Sequence, residues 1–201
     1  MAVSSPLFYF VRHGETDWNA ERRLQGQLDI PLNDVGRRQS AQCGSALRDL
    51  IAARRRTPAD FAFISSPLSR ARETMEILRG VLGLPREGYA IEPRLAELSF
   101  GRWEGLTYRE VRLLDRSALA VRERDKWNFM TPEGESYAEL LVRVRDWHAS
   151  VQGDIIVTAH GGVARVLMVL FGIRVPEEAP HGDVLQGAVY EFGPGVMNRY
   201  G

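Results

Sequence analysis

Short apolar runs alternate with longer amphipathic stretches along this chain. Residues 7–11, 61–64 and 155–158 are almost entirely apolar, as is typical of central β-strands that are covered on both faces. The stretches between them repeat apolar residues at helical spacing. Because strands that alternate with helices form largely parallel sheets with helices on both faces, the pattern predicts an α/β fold.

Capping residues indicate where several of the helices begin. Asn33 is a suitable N-cap for a helix over about 34–50, and Thr107 with Glu110 has the pattern of a capping box. Ser66-Pro67 predicts a further start, with the serine as N-cap and the proline in the first helical position.

The second half of the chain predicts two more helices and a final strand. One apolar face indicates a helix over 135–147, formed by Leu140, Leu141, Val144 and Trp147. Gly161-Gly162 opens an apolar helix that Gly172 ends. Residues 188–192 predict an edge strand, which Gly193-Pro194-Gly195 would stop.

Length and charge favour one domain that binds neither nucleic acid nor membranes. The 201 residues suit a single domain, and 26 basic residues balance 26 acidic ones, so an anionic ligand needs a local cluster of positive charge. The one cysteine, Cys43, excludes an intramolecular disulfide and is expected to be a small buried hydrophobe. Residues 1–6 are too short for a signal peptide, and no stretch is apolar enough to span a bilayer, so we expect a cytoplasmic protein.

Three polar segments each follow directly on a predicted buried strand. They are Arg12-His13, the stretch 65–70 that ends in Arg70, and His160-Gly161. Ligands of parallel α/β sheets bind at the carboxyl ends of the strands. We therefore expect these segments, which are far apart in sequence, to meet at one rim of the sheet.

These segments would supply two imidazoles and two guanidinium groups to one site. Imidazole suits nucleophilic attack near neutral pH, because one ring nitrogen can be held by a hydrogen bond while the other attacks, and His13 is the candidate. A single histidine at a strand end is often structural, and Arg70 could equally form a surface ion pair. Together, however, Arg12 and Arg70 could bind phosphate oxygens in bidentate fashion. His160 precedes Gly161 at a helix N-terminus, which favours anions.

Cleavage of a phosphate ester also needs an acid for the leaving oxygen. Glu97 is flanked by apolar residues that would shield its carboxyl group from water, as suits a general acid. It could protonate the leaving oxygen and then activate water. Glu15 and Glu104 remain alternatives for the same role.

In this order the motifs resemble those of the histidine phosphatase superfamily, also called the phosphoglycerate mutase-like family. The similarity runs from Phe8 to about Leu170. It rests on five segments: Arg12-His13-Gly14-Glu15-Thr16 with Trp18-Asn19, Ser66-Pro67-Leu68-Ser69-Arg70-Ala71, Leu95-Ala96-Glu97 with Phe100-Gly101 and Trp103-Glu104-Gly105, Pro132-Glu133-Gly134-Glu135-Ser136, and Ala159-His160-Gly161-Gly162.

The resemblance implies a three-layer α/β/α sandwich with a mostly parallel central sheet. It also implies a phosphohistidine intermediate on His13, with Glu97 as the proton donor and without a metal or other cofactor. The implied phosphate-binding residues are Arg12, Asn19, Arg70, His160 and Gly161.

Phosphatases and mutases share this machinery and differ in whether water reaches the phosphohistidine. The segment between Glu97 and Pro132 is shorter than in mutases of this family, and few residues follow the last predicted strand to close over the site. We therefore expect a phosphomonoester hydrolase of the histidine acid type that acts on a small phosphorylated metabolite and releases inorganic phosphate. A phosphoglycerate mutase-type isomerase is the alternative. An inactive phospholigand-binding domain is disfavoured because the candidate nucleophile, acid and second histidine are all present.

A segment at about 98–132 is expected to set substrate choice. Some of its basic and aromatic residues could contact a sugar, a ring or a second phosphate, although amphipathic helices with a solvated basic face are the simpler interpretation. His181 could lie at the pocket entrance. The sequence leaves the substrate and the oligomeric state open. The basic and aromatic residues are Arg102, Trp103, Tyr108, Arg109, Arg112, Arg116, Arg122, Arg124, Lys126 and Trp127.

Overall fold

A six-stranded sheet organises residues 6–201, the part of the chain that the computed structural model describes. The expectation about a signal peptide concerns residues 1–6, most of which lie outside that part. The strands are β1 (Phe8–Arg12), β2 (Ala62–Ser65), β3 (Ala90–Ile91), β4 (Ile155–Ala159), β5 (Val189–Gly193) and β6 (Val196–Tyr200). Their spatial order is β3-β2-β4-β1-β5-β6. The first four are mutually parallel, and β5 and β6 extend the sheet in antiparallel fashion.

Helices cover both faces of this sheet. They are α1 (Asp17–Ala20), α2 (Asp34–Ala53), α3 (Ser69–Val81), α4 (Tyr108–Leu114), α5 (Arg116–Arg124), α6 (Tyr137–His148) and α7 (Gly161–Leu170). Helices α2 and α3 pack on one face, and α6 and α7 pack on the other. Helices α4 and α5 pack in a smaller apolar cluster with Leu24 and Trp103.

The apolar sequence of β1 follows from this arrangement. Tyr9 and Val11 point into the core beneath α2 and α3, whereas Phe8 and Phe10 point into the core beneath α6 and α7. Burial of each such side chain stabilises the fold by about 1.5–3 kcal/mol, so a polar residue is disfavoured at every position. The predicted three-layer sandwich with a mostly parallel sheet is confirmed.

Local capping signals predicted two helix starts correctly and one wrongly. The Asn33 side chain accepts a hydrogen bond from the Gly36 amide, and Thr107 with Glu110 forms the capping box. In contrast, α3 begins at Ser69, and its N-cap residue makes no side-chain capping bond. Ser66 lies before the N-cap residue, Leu68, and its hydroxyl bonds to a distant residue, described below.

The C-terminal third departs from expectation in its last strand. Helix α7 ends at Leu170, and Gly172 follows with φ of +69°, as predicted. However, β5 is not an edge strand, because it pairs with both β1 and β6. The stretch Gly193-Pro194-Gly195 turns the chain into β6 rather than stopping the sheet. The helix predicted over 135–147 is α6, in which Leu141 is only half-buried.

Cys43 is buried in α2, and burial raises the pKa of its thiol to about 12, which confirms it as an inert core residue. Among the helices within residues 6–201, none combines the length and the apolar character that crossing a bilayer requires.

Candidate active site

His13 lies just beyond the carboxyl end of β1 and is almost fully buried. Its Nδ1 is 2.7 Å from the carbonyl oxygen of Gly14, and a carbonyl can only accept, so Nδ1 carries the proton. Nε2 therefore keeps its lone pair. Burial, followed by the charges of Arg70 and Arg12, holds the pKa of His13 well below 6.5, so the ring is neutral near pH 7.

A close backbone contact fixes the loop that carries His13. A Cβ on Gly14 would lie 2.2 Å from the carbonyl oxygen of Gly36, which is in the first turn of α2. The Gly14 amide also donates to the Thr74 hydroxyl of α3 at 3.1 Å. Two helices of the same layer thus determine where the imidazole stands.

Two guanidinium groups flank the imidazole. Arg70 is fully buried, and it donates to the carbonyl oxygens of Leu28 and Gly26, both at 2.7 Å. Arg12 donates to the carbonyl oxygen of Val184 at 2.7 Å. Burial first, and then the charge of Arg165, lowers the pKa of Arg12 to about 10, so the group stays charged at neutral pH. Backbone carbonyls hold both arginines without neutralising them.

His160 is the N-cap residue of α7 and faces His13, with 5.1 Å between the ring centroids. Its Nε2 lies 2.6 Å from the hydroxyl oxygen of Ser66, and that oxygen also accepts from the Leu68 amide. A hydroxyl that accepts from an amide has its own proton to give, so we assign Ser66 as the donor to Nε2. In this tautomer Nδ1 of His160 is an N–H donor.

The buried polar atoms that lack a partner concentrate in this site. Within residues 6–201, five buried side-chain atoms have no hydrogen-bond partner, and four of them belong to residues of the site. Such atoms are costly unless a ligand pairs with them. The four atoms are Arg12 Nε, Arg70 Nε, His160 Nδ1 and Gln25 Oε1.

The site encloses a cavity of about 260 Å³, and among residues 6–201 Glu97 is the one carboxylate that lines it. One of its oxygens accepts from the Leu98 amide at 2.8 Å, and both accept from the Gly162 amide at 3.0 and 3.2 Å. The carboxyl group is therefore held by the backbone amides of Leu98 and Gly162, contacts that the sequence did not indicate. The two rivals are engaged elsewhere: Glu15 accepts from Asn33, and Glu104 accepts from the Gln27 and Phe100 amides.

The sequence as a whole matches a protein family that fits this arrangement of side chains. A sequence model of the histidine phosphatase superfamily (branch 1) matches residues 8–193, which is nearly the whole chain. The chain belongs to this superfamily.

The relatives within the histidine phosphatase superfamily include both phosphatases and mutases. The glucosyl-3-phosphoglycerate phosphatase of Mycolicibacterium vanbaalenii is 34% identical over 82% of this chain and 74% of its own length. The "Probable phosphoglycerate mutase GpmB" of Photorhabdus laumondii is 37% identical over 68% of this chain and 59% of its own length. The fold is shared with the α-ribazole phosphatase from Shigella flexneri, at a TM-score of 0.79 and 24% identity over 92% of this chain and 89% of that one. Family and relatives indicate an enzyme that acts on phosphate esters.

Two further residues implied by the histidine phosphatase motifs also line the cavity, namely Asn19 and Gly161. The side-chain oxygen of Asn19 is occupied, because it accepts from Thr16 and from the Gln186 side chain at 2.8 Å. Only its amide nitrogen remains to donate to a ligand. Gly161 is the first residue of α7, where the helix dipole favours negative charge.

The segment 98–132 divides into residues that reach the cavity and residues that do not. Tyr108, Arg122 and Lys126 line the cavity, as does Phe100. The indole rings of Trp103 and Trp127 are buried in apolar clusters. The remaining basic residues lie at the surface, which confirms the solvated-face interpretation for them: Arg102, Arg109, Arg112, Arg116 and Arg124.

Sequence reasoning missed several residues of the site. Arg165 of α7 and Gln25 both line the cavity, and Ser66 orients His160. A signal for Arg165 was present, because it is the one charged residue in the otherwise apolar helix Gly161–Leu170. His181, considered for the pocket entrance, is exposed and is not among the residues that line the cavity.

Proposed function

We propose that this protein is a phosphomonoester phosphatase that forms a phosphohistidine on His13. The proposal rests on one observation, the free lone pair of the His13 imidazole beside buried N–H groups that have no hydrogen-bond partner. Nε2 of His13 is unprotonated, and buried N–H groups of Arg12, Arg70 and His160 lie in the same site without partners. The phosphorus atom of a phosphoryl group accepts the electron pair of a nucleophile, and the phosphoryl oxygens accept hydrogen bonds. A phosphoryl group therefore fits both features.

In the first step Nε2 of His13 attacks phosphorus and the bond from phosphorus to the ester oxygen breaks. Protonated Glu97 transfers its proton to the leaving oxygen, which departs as an alcohol. The imidazole ring gains positive charge as the P–N bond forms. Its Nδ1–H bond to the Gly14 carbonyl stabilises that charge, and the arginines hold the phosphoryl oxygens.

In the second step water hydrolyses the phosphohistidine. The Glu97 carboxylate takes a proton from the water molecule while the water oxygen attacks phosphorus. The P–N bond breaks, its electron pair returns to Nε2, and inorganic phosphate is released. Glu97 is protonated again, so both residues are ready for another cycle, and the chemistry assigned to the chain needs no cofactor.

The substrate we propose is a small phosphorylated metabolite. A cavity of about 260 Å³ suits a molecule of this size. The relatives named glucosyl-3-phosphoglycerate phosphatase and α-ribazole phosphatase support small substrates for this fold.

A phosphoglycerate mutase is the second candidate, favoured by the relatives that carry that name. A mutase returns the phosphoryl group from His13 to a bound sugar acid. We prefer hydrolysis because the segment after Glu97 is short, with two helices of only 7 and 9 residues, α4 and α5. Incubation with 3-phosphoglycerate and 2,3-bisphosphoglycerate separates the two: a phosphatase releases inorganic phosphate, whereas rapid formation of 2-phosphoglycerate with little phosphate would replace our proposal with the mutase.

The nucleophile is tested by trapping the phosphoenzyme. We expect the wild type, quenched during turnover of p-nitrophenyl phosphate, to carry phosphate that is labile to acid and stable to alkali, and His13→Ala to carry none. His148→Asn is the matched control, since His148 ends α6 and packs on Phe8 at the opposite end of β1. Labelled His13→Ala, or an unlabelled wild type that nevertheless turns over, would refute the assignment.

A further inference from the structure

A second group of cations lines the cavity beside the phosphate-binding residues. It consists of Arg122 of α5, Lys126 just after that helix, and Arg165 of α7. Within residues 6–201 none of the three forms an ion pair with a carboxylate. Another cation of the cavity wall, Arg23, is paired with Glu21 and Glu110.

The contacts of these three side chains position them but leave their charge uncompensated. Arg122 is only 5% exposed, and its guanidinium lies 5.6 Å from the ring centre of Tyr108 and 5.9 Å from that of Phe100. Lys126 donates to the carbonyl oxygen of Pro180 at 2.8 Å, and Arg165 donates to that of Gly182 at 3.0 Å. Aromatic faces and carbonyl groups orient cations, but they do not neutralise them.

The three charges are close enough to disfavour one another. Burial first, and then the charges of Arg122 and Arg165, lowers the pKa of Lys126 to about 8. A purely structural role for Arg122, as a packing partner of two aromatic rings, explains its burial but not the two further cations beside it. Like charges gathered without a counter-charge in a cleft are typical of a site that receives an anion.

This second group is continuous with the phosphate pocket. A Cβ at Gly161 would lie 3.1 Å from Nη1 of Arg165 and 3.6 Å from Nε of Arg12, so the two guanidinium groups approach the same point at the start of α7. The charge of Arg165 is also the largest electrostatic cause, after burial, of the lowered pKa of Arg12. A ligand that spans both groups of cations therefore needs only a short carbon skeleton.

We propose that Arg122, Lys126 and Arg165 form a second anion subsite, and that the substrate is a phosphomonoester with a carboxylate or second phosphate a few bonds away. This inference rests on the proposed phosphatase function. The phosphate to be cleaved binds at His13, and the second anion binds between α5 and α7.

Two pairs of substrates test the proposal, each pair differing in the second anion. The carboxylate arm compares 3-phosphoglycerate with glycerol 3-phosphate, and the phosphate arm compares propane-1,3-diol bisphosphate with propyl phosphate. We expect the wild type to prefer the doubly anionic member of at least one pair by about 10- to 100-fold in kcat/KM, the range for hydrogen bonds to charged groups. The arm with the larger preference identifies the second anion.

Variants on neighbouring positions separate the subsite from general effects of charge. Lys126→Gln and Arg165→Gln should each reduce the preference about 10-fold, mainly through KM of the doubly anionic substrate. Arg124→Gln removes the same charge from an exposed position of α5 and should keep the preference. Absence of a preference in the wild type, or an equal loss in Arg124→Gln and Lys126→Gln, would overturn the subsite.

Failure of the phosphatase proposal would be visible separately. If no substrate releases phosphate, calorimetric titration of the whole chain with propane-1,3-diol bisphosphate and propyl phosphate still measures the subsite. Tighter binding of the bisphosphate by the wild type, lost in Lys126→Gln, supports the subsite without catalysis. Equal affinities for the two ligands overturn it.

Discussion

The Ser66 hydroxyl and Nε2 of His160 are 2.6 Å apart, although 94 positions separate them in the chain. This bond determines which nitrogen of His160 carries the proton that a phosphate oxygen can accept. A residue that looked like a helix cap from the sequence therefore belongs to the site, where it acts through the imidazole.

Without the Ser66 hydroxyl, the imidazole of His160 should no longer be held in a single tautomer. We expect Ser66→Ala to lower kcat/KM for p-nitrophenyl phosphate by about 10- to 100-fold, as is common when an orienting partner is lost. The imidazole nitrogen signals of His160 in NMR spectra should shift towards a mixture of tautomers, which a merely structural role would not produce. Ser45→Ala, which removes a hydroxyl bonded within α2, is the control. Unchanged tautomer and kinetics in Ser66→Ala would contradict the assignment.

The effect of removing the Glu97 carboxyl group should depend on the leaving group of the substrate. Glu97→Gln should slow hydrolysis of an alkyl phosphate by about 100-fold or more, since an alkoxide leaves poorly without a proton. It should slow hydrolysis of p-nitrophenyl phosphate much less, provided that phosphohistidine formation is measured by burst kinetics. Glu15→Gln and Glu104→Gln serve as comparisons. Equal losses for both esters in Glu97→Gln would transfer the role to one of these carboxylates.

Preference for a doubly anionic substrate should decline in alkaline solution. Lys126 is charged below its pKa of about 8 and loses its proton above it, so its attraction for the second anion is present at pH 7 and fades as the pH rises. The charged groups that face Lys126 are the guanidinium groups of Arg122 and Arg165. The charge of Lys126 is in turn the first cause of the lowered pKa of His181, and burial raises the pKa of Tyr137.

The measurement is the ratio of kcat/KM for each substrate pair between pH 6.5 and 9.5. Because a bound anion raises the pKa of the lysine, the ratio should begin to fall near pH 8 and approach that of Lys126→Gln at higher pH. A ratio that is flat over this range, or equally pH-dependent in Lys126→Gln, would count against a role for the lysine.

The contact between Gly14 and Gly36 should tolerate no side chain. Gly14→Ala places a methyl group 2.2 Å from a carbonyl oxygen of α2, so the free energy of unfolding should fall by about 2–4 kcal/mol. Gly80→Ala in α3 meets no atom within 4 Å and should raise stability by about 0.5–1 kcal/mol. Urea denaturation measures both. Equal stability of the two variants would mean that the loop adapts freely.

Features that depend on neighbouring residues could be predicted from the sequence. The capping box of Thr107 and Glu110 and the N-cap Asn33 are contacts within a few positions, and the continuous apolar run of β1 reflects burial on both faces. The meeting of Arg12, Arg70 and His160 followed from the general rule that parallel strands end at one rim.

Features that depend on partners far away in the sequence could not be predicted. Strand β6 was not predicted, because Gly193-Pro194-Gly195 is compatible both with a hairpin turn and with the end of the sheet. Only the pairing of β6 with β5 shows that it is a hairpin turn. Similarly, the sequence separates Arg122 from Arg165 by 43 positions with no pattern linking them. Their convergence depends on how α5 and α7 pack.

The unpartnered buried donors of Arg12, Arg70 and His160 also make the stability of the fold dependent on the surrounding solution. Their burial is a cost to the apo protein that any bound oxyanion removes. A ligand that binds only the native state at 100 times its dissociation constant adds about 2.7 kcal/mol of stability. Inorganic phosphate, the product we propose, would therefore stabilise the fold as well as inhibit the enzyme, so that the product of the reaction would also protect the protein that releases it.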